Sequence, residues 1–333
     1  MKHSQYLLSI ILILNLASCG LLDSGGGNPD IQSYFIDRIY SVNLDGTGRK
    51  LITFGSSFTL LSNGKLLFIK DNKLYTCNFD GTDSTVLSPA NIKVYFYQVN
   101  FGETKILLNQ YYSPYLMNID GSGLVSINFP GSNKSVNGTA ISPDGKTVAY
   151  SNFSIGLNIM NYDGSNSIQI KDTSNRSNYS NLTFTPDGNA LVYIQDIQQG
   201  VALDLRLYNI QTKKDTSLFY NNDGNKVKAF AISKWNTLLF SNFNGVNLMN
   251  LKDYTYTLIH RGGDPHFSAD SSKITFMDYD TGAIDLMNLK QKSSNLIYVN
   301  LPKNYILNPT LSLDGKQIIF QADSSWSVTL DKY

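Results

Sequence analysis

This sequence has little charge and no excess of either sign. Charged residues make up 16% of its 333 residues, and 27 basic against 26 acidic side chains leave a net charge of +1. This balance gives no reason to expect a nucleic acid or a strongly charged substrate as a partner. Because 42% of the residues are apolar, the chain can bury a large core, and we expect a globular body.

Long hydrophobic runs are also missing, apart from one at the N-terminus. The run from Tyr6 to Leu14 follows Lys2 and His3 and is too short to span a bilayer as a mature helix, which is typical of a secretion signal. It is followed by Leu16-Ala17-Ser18-Cys19-Gly20, which resembles the bacterial lipobox. The resemblance implies that residues 1–18 are a cleaved lipoprotein signal peptide and that Cys19 is lipidated. The alternative is an ordinary signal peptide with an incidental cysteine.

A lipidated Cys19 would attach the protein to a membrane through several acyl chains. Residues 19–32, which include "LLDSGGGNPD", predict a flexible tether between the lipid and the body. Gly20 stands where an aspartate favours inner-membrane retention in enterobacteria, so we expect the outer membrane; its periplasmic or outer side stays open. Cys77 is then the one remaining cysteine, so packing rather than an intrachain disulfide must stabilise the body.

Helical periodicity is scarce along the rest of the chain. Short runs rich in Val, Ile, Leu, Tyr and Phe alternate with Asp-Gly, Asn-Gly and Pro-Asp-Gly turns, which indicates an all-β fold. A repeat of about forty residues is the period of propeller blades. Its first signature is a hairpin turn, clear at Ser142-Pro143-Asp144-Gly145, Thr185-Pro186-Asp187-Gly188 and Ser312-Leu313-Asp314-Gly315, and weaker at Ser62, Asn100, Ser233 and Ser268.

The second signature is a strand that ends in asparagine, at Asn43, Asn78, Asn118, Asn161, Asn209, Asn250 and Asn288. The residues just before these asparagines are soft or bulky: Val42, Cys77, Met117, Met160, Tyr208, Met249 and Met287. A cofactor box is one interpretation of this column. We expect instead a sheet face packed against the next blade, because methionine fills irregular gaps well.

Together these signatures resemble the TolB-like (WD40-like) β-propeller, over roughly Ser33 to Leu330. The resemblance implies a single domain, 33–333, built of four-stranded antiparallel blades. Several turns have lost Pro or Gly, and no counterpart of TolB's separate N-terminal domain is recognisable, so TolB's own role is not carried over. We also expect a monomer.

The number of blades follows from how the two ends of the repeat fit together. Six units are complete, from about Ser57 to Val299. Tyr34 to Phe54 supplies strands two to four of a further blade, and Asn308 to Leu330 supplies strands one to three. One composite blade would close a ring of seven with a surplus strand at the seam; eight or six blades are the alternatives.

Both turn signatures lie on one face of such a disc. The opposite face carries the loops between strands two and three and the crossovers between blades, which differ in length and composition. We call this opposite face the variable face, and loops of this kind on a rigid ring commonly bind ligands. The candidate contacts there are Tyr111, Tyr112, Arg176, Tyr179, His260 and Arg261.

Signatures of enzyme chemistry are few. The sequence has no Gly-x-Ser-x-Gly elbow and no phosphate-binding glycine loop. His260, Asp264 and His266 in "HRGGDPH" are a weak zinc motif, and His266 occupies a repeat position, so we expect neither a metal nor another cofactor. "SVNLDGTGRKLI", from Ser41, begins like a calcium loop but has Ile52 where a bidentate glutamate belongs, so it predicts a tight turn in which Asn43 bonds to nearby backbone.

The sequence therefore favours a non-catalytic binding or scaffold module that is anchored by lipid in the bacterial envelope and has a protein or glycan partner. Two alternatives remain. One is an envelope enzyme, a glycan lyase or hydrolase, with its site at the propeller tunnel. The other is a structural envelope component comparable to TolB.

Overall fold

The computed structural model describes residues 37–109, 114–129, 136–173, 178–197, 202–221, 227, 229–291, 293–298 and 306–322. Their regular structure is all β-strand, without a helix. Accordingly, the described residues contain no helix of the length and hydropathy that crossing a membrane requires. The alternation of short apolar runs with Gly-containing turns explains this, since each run is long enough for a strand and too short for a stable helix.

The strands of the first half of the chain are β1 Arg38–Asn43, β2 Lys50–Phe54, β3 Ser56–Leu60, β4 Lys65–Lys70, β5 Lys73–Asn78, β6 Thr85–Val86, β7 Phe96–Val99, β8 Lys105–Asn109, β9 Tyr115–Asn118, β10 Val125–Ser126, β11 Gly138–Ile141, β12 Thr147–Asn152, β13 Gly156–Asn161 and β14 Ile168–Lys171. Those of the second half are β15 Asn178–Phe184, β16 Ala190–Ile197, β17 Ala202–Asn209, β18 Asp215–Asn221, β19 Ala229–Ile232, β20 Thr237–Asn242, β21 Gly245–Asn250, β22 Tyr256–His260, β23 Gly262–Phe267, β24 Lys273–Asp278, β25 Ile284–Asn288, β26 Ser293–Ile297, β27 Ile306–Leu311 and β28 Gln317–Ala322.

These strands form seven four-stranded antiparallel sheets, the blades of a β-propeller, which confirms the predicted fold. Six blades follow the chain in order: blade 1 (β3–β6), blade 2 (β7–β10), blade 3 (β11–β14), blade 4 (β15–β18), blade 5 (β19–β22) and blade 6 (β23–β26). The first strands of several neighbouring blades contact one another, such as β11 with β15 and β19 with β23, as strands around a central tunnel do.

Blade 7 is the composite blade that closes the ring, in the order β2-β1-β28-β27. Each end of the repeat supplies two of its described strands. The third strand that we expected from each end, near Tyr34 and Leu330, falls outside the described residues. β1 pairs with β28 along its whole length, from Arg38 with Ala322 to Asn43 with Gln317. Gln321 Oε1 then accepts a hydrogen bond from Ser57 N of blade 1 at 2.9 Å, which ties the closing blade to the next one.

The core lies between the blades. The predicted column of soft side chains is largely buried there: Val42, Cys77, Met117, Met160 and Met249 are at most 2% exposed, and Tyr208 is 8% exposed. Apolar residues from two adjacent blades form each cluster, as Leu239 and Val246 of blade 5 do with Ile274 and Phe276 of blade 6. The structure therefore gives the column a packing role.

The Asp-Gly turns between third and fourth strands have the same pattern of hydrogen bonds. In the first of them, Asp45 Oδ1 accepts from Thr47 N at 2.9 Å and from Thr47 Oγ1 at 2.6 Å, and Asn43 Nδ2 donates to Thr47 Oγ1 at 3.3 Å. The same arrangement recurs with Asp80 and Thr82, Asp120 and Ser122, and Asp163 and Ser165. The expected tight turn is present, but the side chain of Asn43 bonds to a hydroxyl rather than to backbone.

Candidate functional site on the variable face

The structure describes three of the six candidate contacts; Tyr111, Tyr112 and Arg176 lie outside the described residues. Tyr179 is 2% exposed, and its hydroxyl donates to Asp172 O at 2.7 Å while its ring meets Tyr193 edge-on at 5.8 Å. In the structure Tyr179 therefore belongs to the core between blades 3 and 4.

His260 and Arg261 connect blade 5 to blade 6. His260 is the last residue of β22, and Arg261 is the single residue between β22 and β23. Arg261 Nη1 donates to Asp280 Oδ1 at 2.9 Å, and Tyr279 N donates to Arg261 O at 3.3 Å. The crossover is thus fastened to the loop between β24 and β25, and both lie on the variable face.

A cluster of three ionisable side chains lies beside this crossover. One ligand atom from each of His260, Asp278 and Asp285 lies within 4.8 Å of those of the other two. Both aspartates are buried, with 3% exposure for Asp278 and 1% for Asp285, whereas the His260 side chain is 38% exposed. We call this set the blade 5–6 cluster.

Strand register places both aspartates on the face of blade 6 that meets blade 5. Asp278 follows Phe276 by two residues in β24, and Asp285 pairs with Phe276 across the sheet, so all three share a face. The Phe276 ring lies 5.8 Å from that of His260. Asp278 Oδ1 accepts from Asp280 N at 2.7 Å and Thr281 N at 2.9 Å, while Oδ2 lies 3.7 Å from His260 Nδ1.

His266 pairs with a different aspartate, on the innermost strand of blade 6. Its Nε2 lies 3.3 Å from Asp264 Oδ1, and the other carboxylate oxygen of Asp264 accepts from Asn308 N of blade 7. Burial would raise the pKa of Asp264, but the hydrogen bond and charge of His266 and the bond from Asn308 N outweigh it and lower this pKa. The "HRGGDPH" segment is thus divided between two sites.

Three loops between second and third strands present an exposed aromatic ring directly after an Asn or Asp. Phe153 follows Asn152, Phe243 follows Asn242 and Tyr279 follows Asp278, and the rings are 62%, 62% and 48% exposed. The Oδ1 atom of each Asn or Asp accepts a hydrogen bond from the backbone two residues later, at 2.6–3.0 Å. These turns place the three aromatic residues at the variable face.

A small cavity lies toward the opposite face. Its volume is about 260 Å³, and its lining includes Thr59, Asn100, Phe101 and Glu103. Glu103 is already occupied there, because its carboxylate accepts from Ser62 N and Ser62 Oγ of blade 1. Since small-molecule pockets typically measure about 300–1,000 Å³, this cavity is a weaker candidate than the variable face.

Similar solved structures are propellers with unrelated roles. An oligogalacturonate lyase in complex with manganese is 14% identical, with a TM-score of 0.56 over 85% of this chain and 82% of its own. A TolB candidate from Agrobacterium tumefaciens is 14% identical, with a TM-score of 0.50 over 89% and 100%. A chain of a mitotic checkpoint complex is 12% identical, with a TM-score of 0.57 over 90% and 96%.

At these identities the similarities show the fold alone. The sequence matches no protein-family model and no curated protein.

Sequence reasoning did not single out Asp278 and Asp285. Comparison of the blades would have found them. At the position of Asp278, blades 3 and 5 have Asn152 and Asn242; at the position of Asp285, they have Asn158 and Asn247. Two carboxylates in place of two amides mark blade 6 as different. Their proximity to His260, which belongs to another blade, is decided by tertiary packing.

Proposed function

We propose that this chain is a non-catalytic binding module of the bacterial envelope, anchored by lipid at Cys19, whose variable face holds a glycan or protein partner. The observation that carries the proposal is the set of exposed rings of Phe153, Phe243 and Tyr279 at equivalent loop tips. Aromatic rings next to polar groups are well suited to recognition, because they offer a large apolar area together with nearby hydrogen-bonding groups.

The anchor part of the proposal rests on the sequence of residues 1–32. A short apolar run, a lipobox-like end and a Gly-rich tether together favour a body held near the outer membrane. A rigid ring with variable loops on one face suits a scaffold role there.

The test uses the full-length chain in detergent against an array of envelope glycans and in pull-downs of envelope proteins. The variant Phe153→Ser with Phe243→Ser removes two rings of the variable face, and Trp235→Ser is the matched control, since Trp235 is 71% exposed in the β19–β20 turn on the opposite face. We expect the double variant to bind at least about ten-fold more weakly and the control to bind normally. Equal binding by all forms, or no bound glycan or protein with the fold intact, would oppose the proposal.

A second candidate function is a glycan lyase or hydrolase, and the blade 5–6 cluster is the observation that favours it. A histidine beside two buried carboxylates is a common arrangement for acid–base chemistry. One solved propeller of this shape is an oligogalacturonate lyase, so oligogalacturonides are the first substrates to test. Product formation that Asp285→Asn abolishes would support this function; no product from any glycan of the array would oppose it.

A further inference from the structure

We propose that His260, Asp278 and Asp285 form a binding site for one divalent transition-metal ion, such as Zn²⁺ or Mn²⁺. The site lies between blades 5 and 6 and does not depend on the glycan or protein partner proposed above.

The donor set and its spacing fit one ion. An imidazole nitrogen and two carboxylate oxygens are ligands that Zn²⁺ and Mn²⁺ accept, at about 2.0–2.2 Å from the metal. Around a tetrahedral ion, two such ligand atoms lie about 3.3–3.6 Å apart. The ligand atoms lie within 4.8 Å of one another, so side-chain movements of up to about 1 Å would bring them to coordination distance.

The repeat itself shows that the fold does not require carboxylates at these positions. In blade 5, Asn242 Oδ1 accepts from Asn244 N at 3.0 Å, and Asn247 Nδ2 donates to Gly245 O at 3.0 Å. An amide thus meets the local structural need at both positions. In blade 6 both positions are aspartates. An ionised carboxylate can bind a metal ion but cannot donate a hydrogen bond as the Asn247 amide does.

The equivalent interface between blades 3 and 4 shows how this fold otherwise arranges buried carboxylates. There Lys171 occupies the position of His260, and Arg206 occupies that of Asp285. Lys171 and Arg206 pair with Asp215, and Arg206 also pairs with Asp204, so two cations meet two anions. In the blade 5–6 cluster His260 faces two buried carboxylates, and these three side chains are ligands that a divalent transition-metal ion accepts.

The geometry leaves a route for the ion and holds one of the ligands in place. The 38% exposed side chain of His260 opens the cluster to the variable face, while the aspartates form its buried floor. Asp278 is held in place by two backbone N–H groups.

The experiment is direct metal binding by the full-length chain in detergent, produced without a polyhistidine tag and treated with a chelator. Equilibrium dialysis against ZnCl₂, MnCl₂ and CaCl₂ gives the number of ions bound per chain and their affinities. The variant Asp278→Asn with Asp285→Asn introduces the residues that blades 3 and 5 already carry, so it should fold. Asp264→Asn is the matched control, because Asp264 lies in the same blade beside the other histidine.

We expect the unmodified chain and Asp264→Asn to bind one Zn²⁺ or Mn²⁺ ion, and the double variant and His260→Gln to bind at least ten-fold more weakly. Thermal unfolding with and without the metal should show a stabilisation that the double variant has lost. The proposal is overturned if the double variant binds as well as the control, if no ion binds at millimolar concentration, or if Ca²⁺ binds more tightly than both transition metals.

Discussion

The backbone carbonyl of Ile52, in blade 7, lies directly against Gly81, in the turn between β5 and β6 of blade 1. Gly81 has a φ of +88°, and a Cβ there would overlap the Ile52 oxygen. Gly46 and Gly121, at the equivalent positions, meet Tyr298 O and Leu87 O of the preceding blade. The glycine of the Asp-Gly turn is therefore a point of blade-to-blade contact as well as a turn residue.

Gly81→Ala should destabilise the protein more than Gly64→Ala. Gly64 has a similar φ of +83° but nothing within 4 Å of its Cβ position, so Ala there carries only the left-handed strain of about 1–2 kcal/mol. Gly81→Ala adds the overlap with Ile52 O, and we expect a total loss of about 3 kcal/mol. Urea unfolding of both variants measures the difference; equal losses would mean that the contact is unimportant.

Asp215 should contribute to stability in a pH-dependent way. Burial raises its pKa, but hydrogen bonds from Arg206, Lys171 and Tyr193 outweigh this effect, so the folded pKa lies below the ordinary value. Because the folded pKa is lowered, the contribution is fully present above the unfolded pKa near 3.8 and is lost as the pH falls through the folded value.

Asp215→Asn should therefore cost about 3 kcal/mol at pH 7, and the difference from the unmodified chain should shrink below about pH 4. Asp280→Asn is the control, since its exposed pair with Arg261 should contribute at most about 1 kcal/mol. The test is to measure unfolding free energies between pH 3 and pH 7. A constant difference between the variant and the unmodified chain across that range would contradict a pH-dependent contribution of the Asp215 carboxylate.

Gln321→Ala should weaken the closure of the ring. Gln321 is 7% exposed, and losing it leaves Ser57 N without the acceptor that it has at 2.9 Å, a loss of about 1–3 kcal/mol. Gln211→Ala, in an exposed turn, should change stability by less than about 0.5 kcal/mol. The comparison uses thermal unfolding of both variants, and similar melting temperatures would argue against a role of Gln321 at the seam.

Cys77 should be unreactive in the folded protein. Burial, with a smaller contribution from the charge of Asp80, raises the pKa of its thiol to about 11, and its exposure is 1%. In a Cys19→Ser variant, Ellman's reagent at pH 8 should therefore modify no thiol until denaturant is added. Rapid reaction of the folded variant would show that the blade 7–1 interface opens easily.

The repeat explains which features were predictable. The Ser/Thr-x-Asp-Gly and Asn-x-Asp-Gly turns depend on hydrogen bonds between residues two to five positions apart, such as Asp144 with Ser142, so short sequence segments encode them. The sevenfold recurrence of the hairpin turn, weaker copies included, and of the strand that ends in Asn predicted the ring and its composite blade. Burial of the column from Val42 to Met249, with Met287 partly buried, was predictable for the same reason.

The candidate site was less accessible, because its residues come from different blades. The structure groups His260 with Asp278 and Asp285, whereas Asp264 and His266, which are closer to it in sequence, pair with each other. Tyr179 was selected as a loop aromatic and lies in the core, because the register of β15 with β16 turns its ring toward Tyr193.

By itself the sequence determined the local units: the turns, the alternation of strands and the number of repeats. These depend on backbone conformations and short-range hydrogen bonds that neighbouring residues specify. Only the tertiary structure decided that two strands from each end of the repeat close the ring, and that His260 of blade 5 faces two buried carboxylates of blade 6. Such contacts depend on how adjacent sheets pack, and no short segment contains that information.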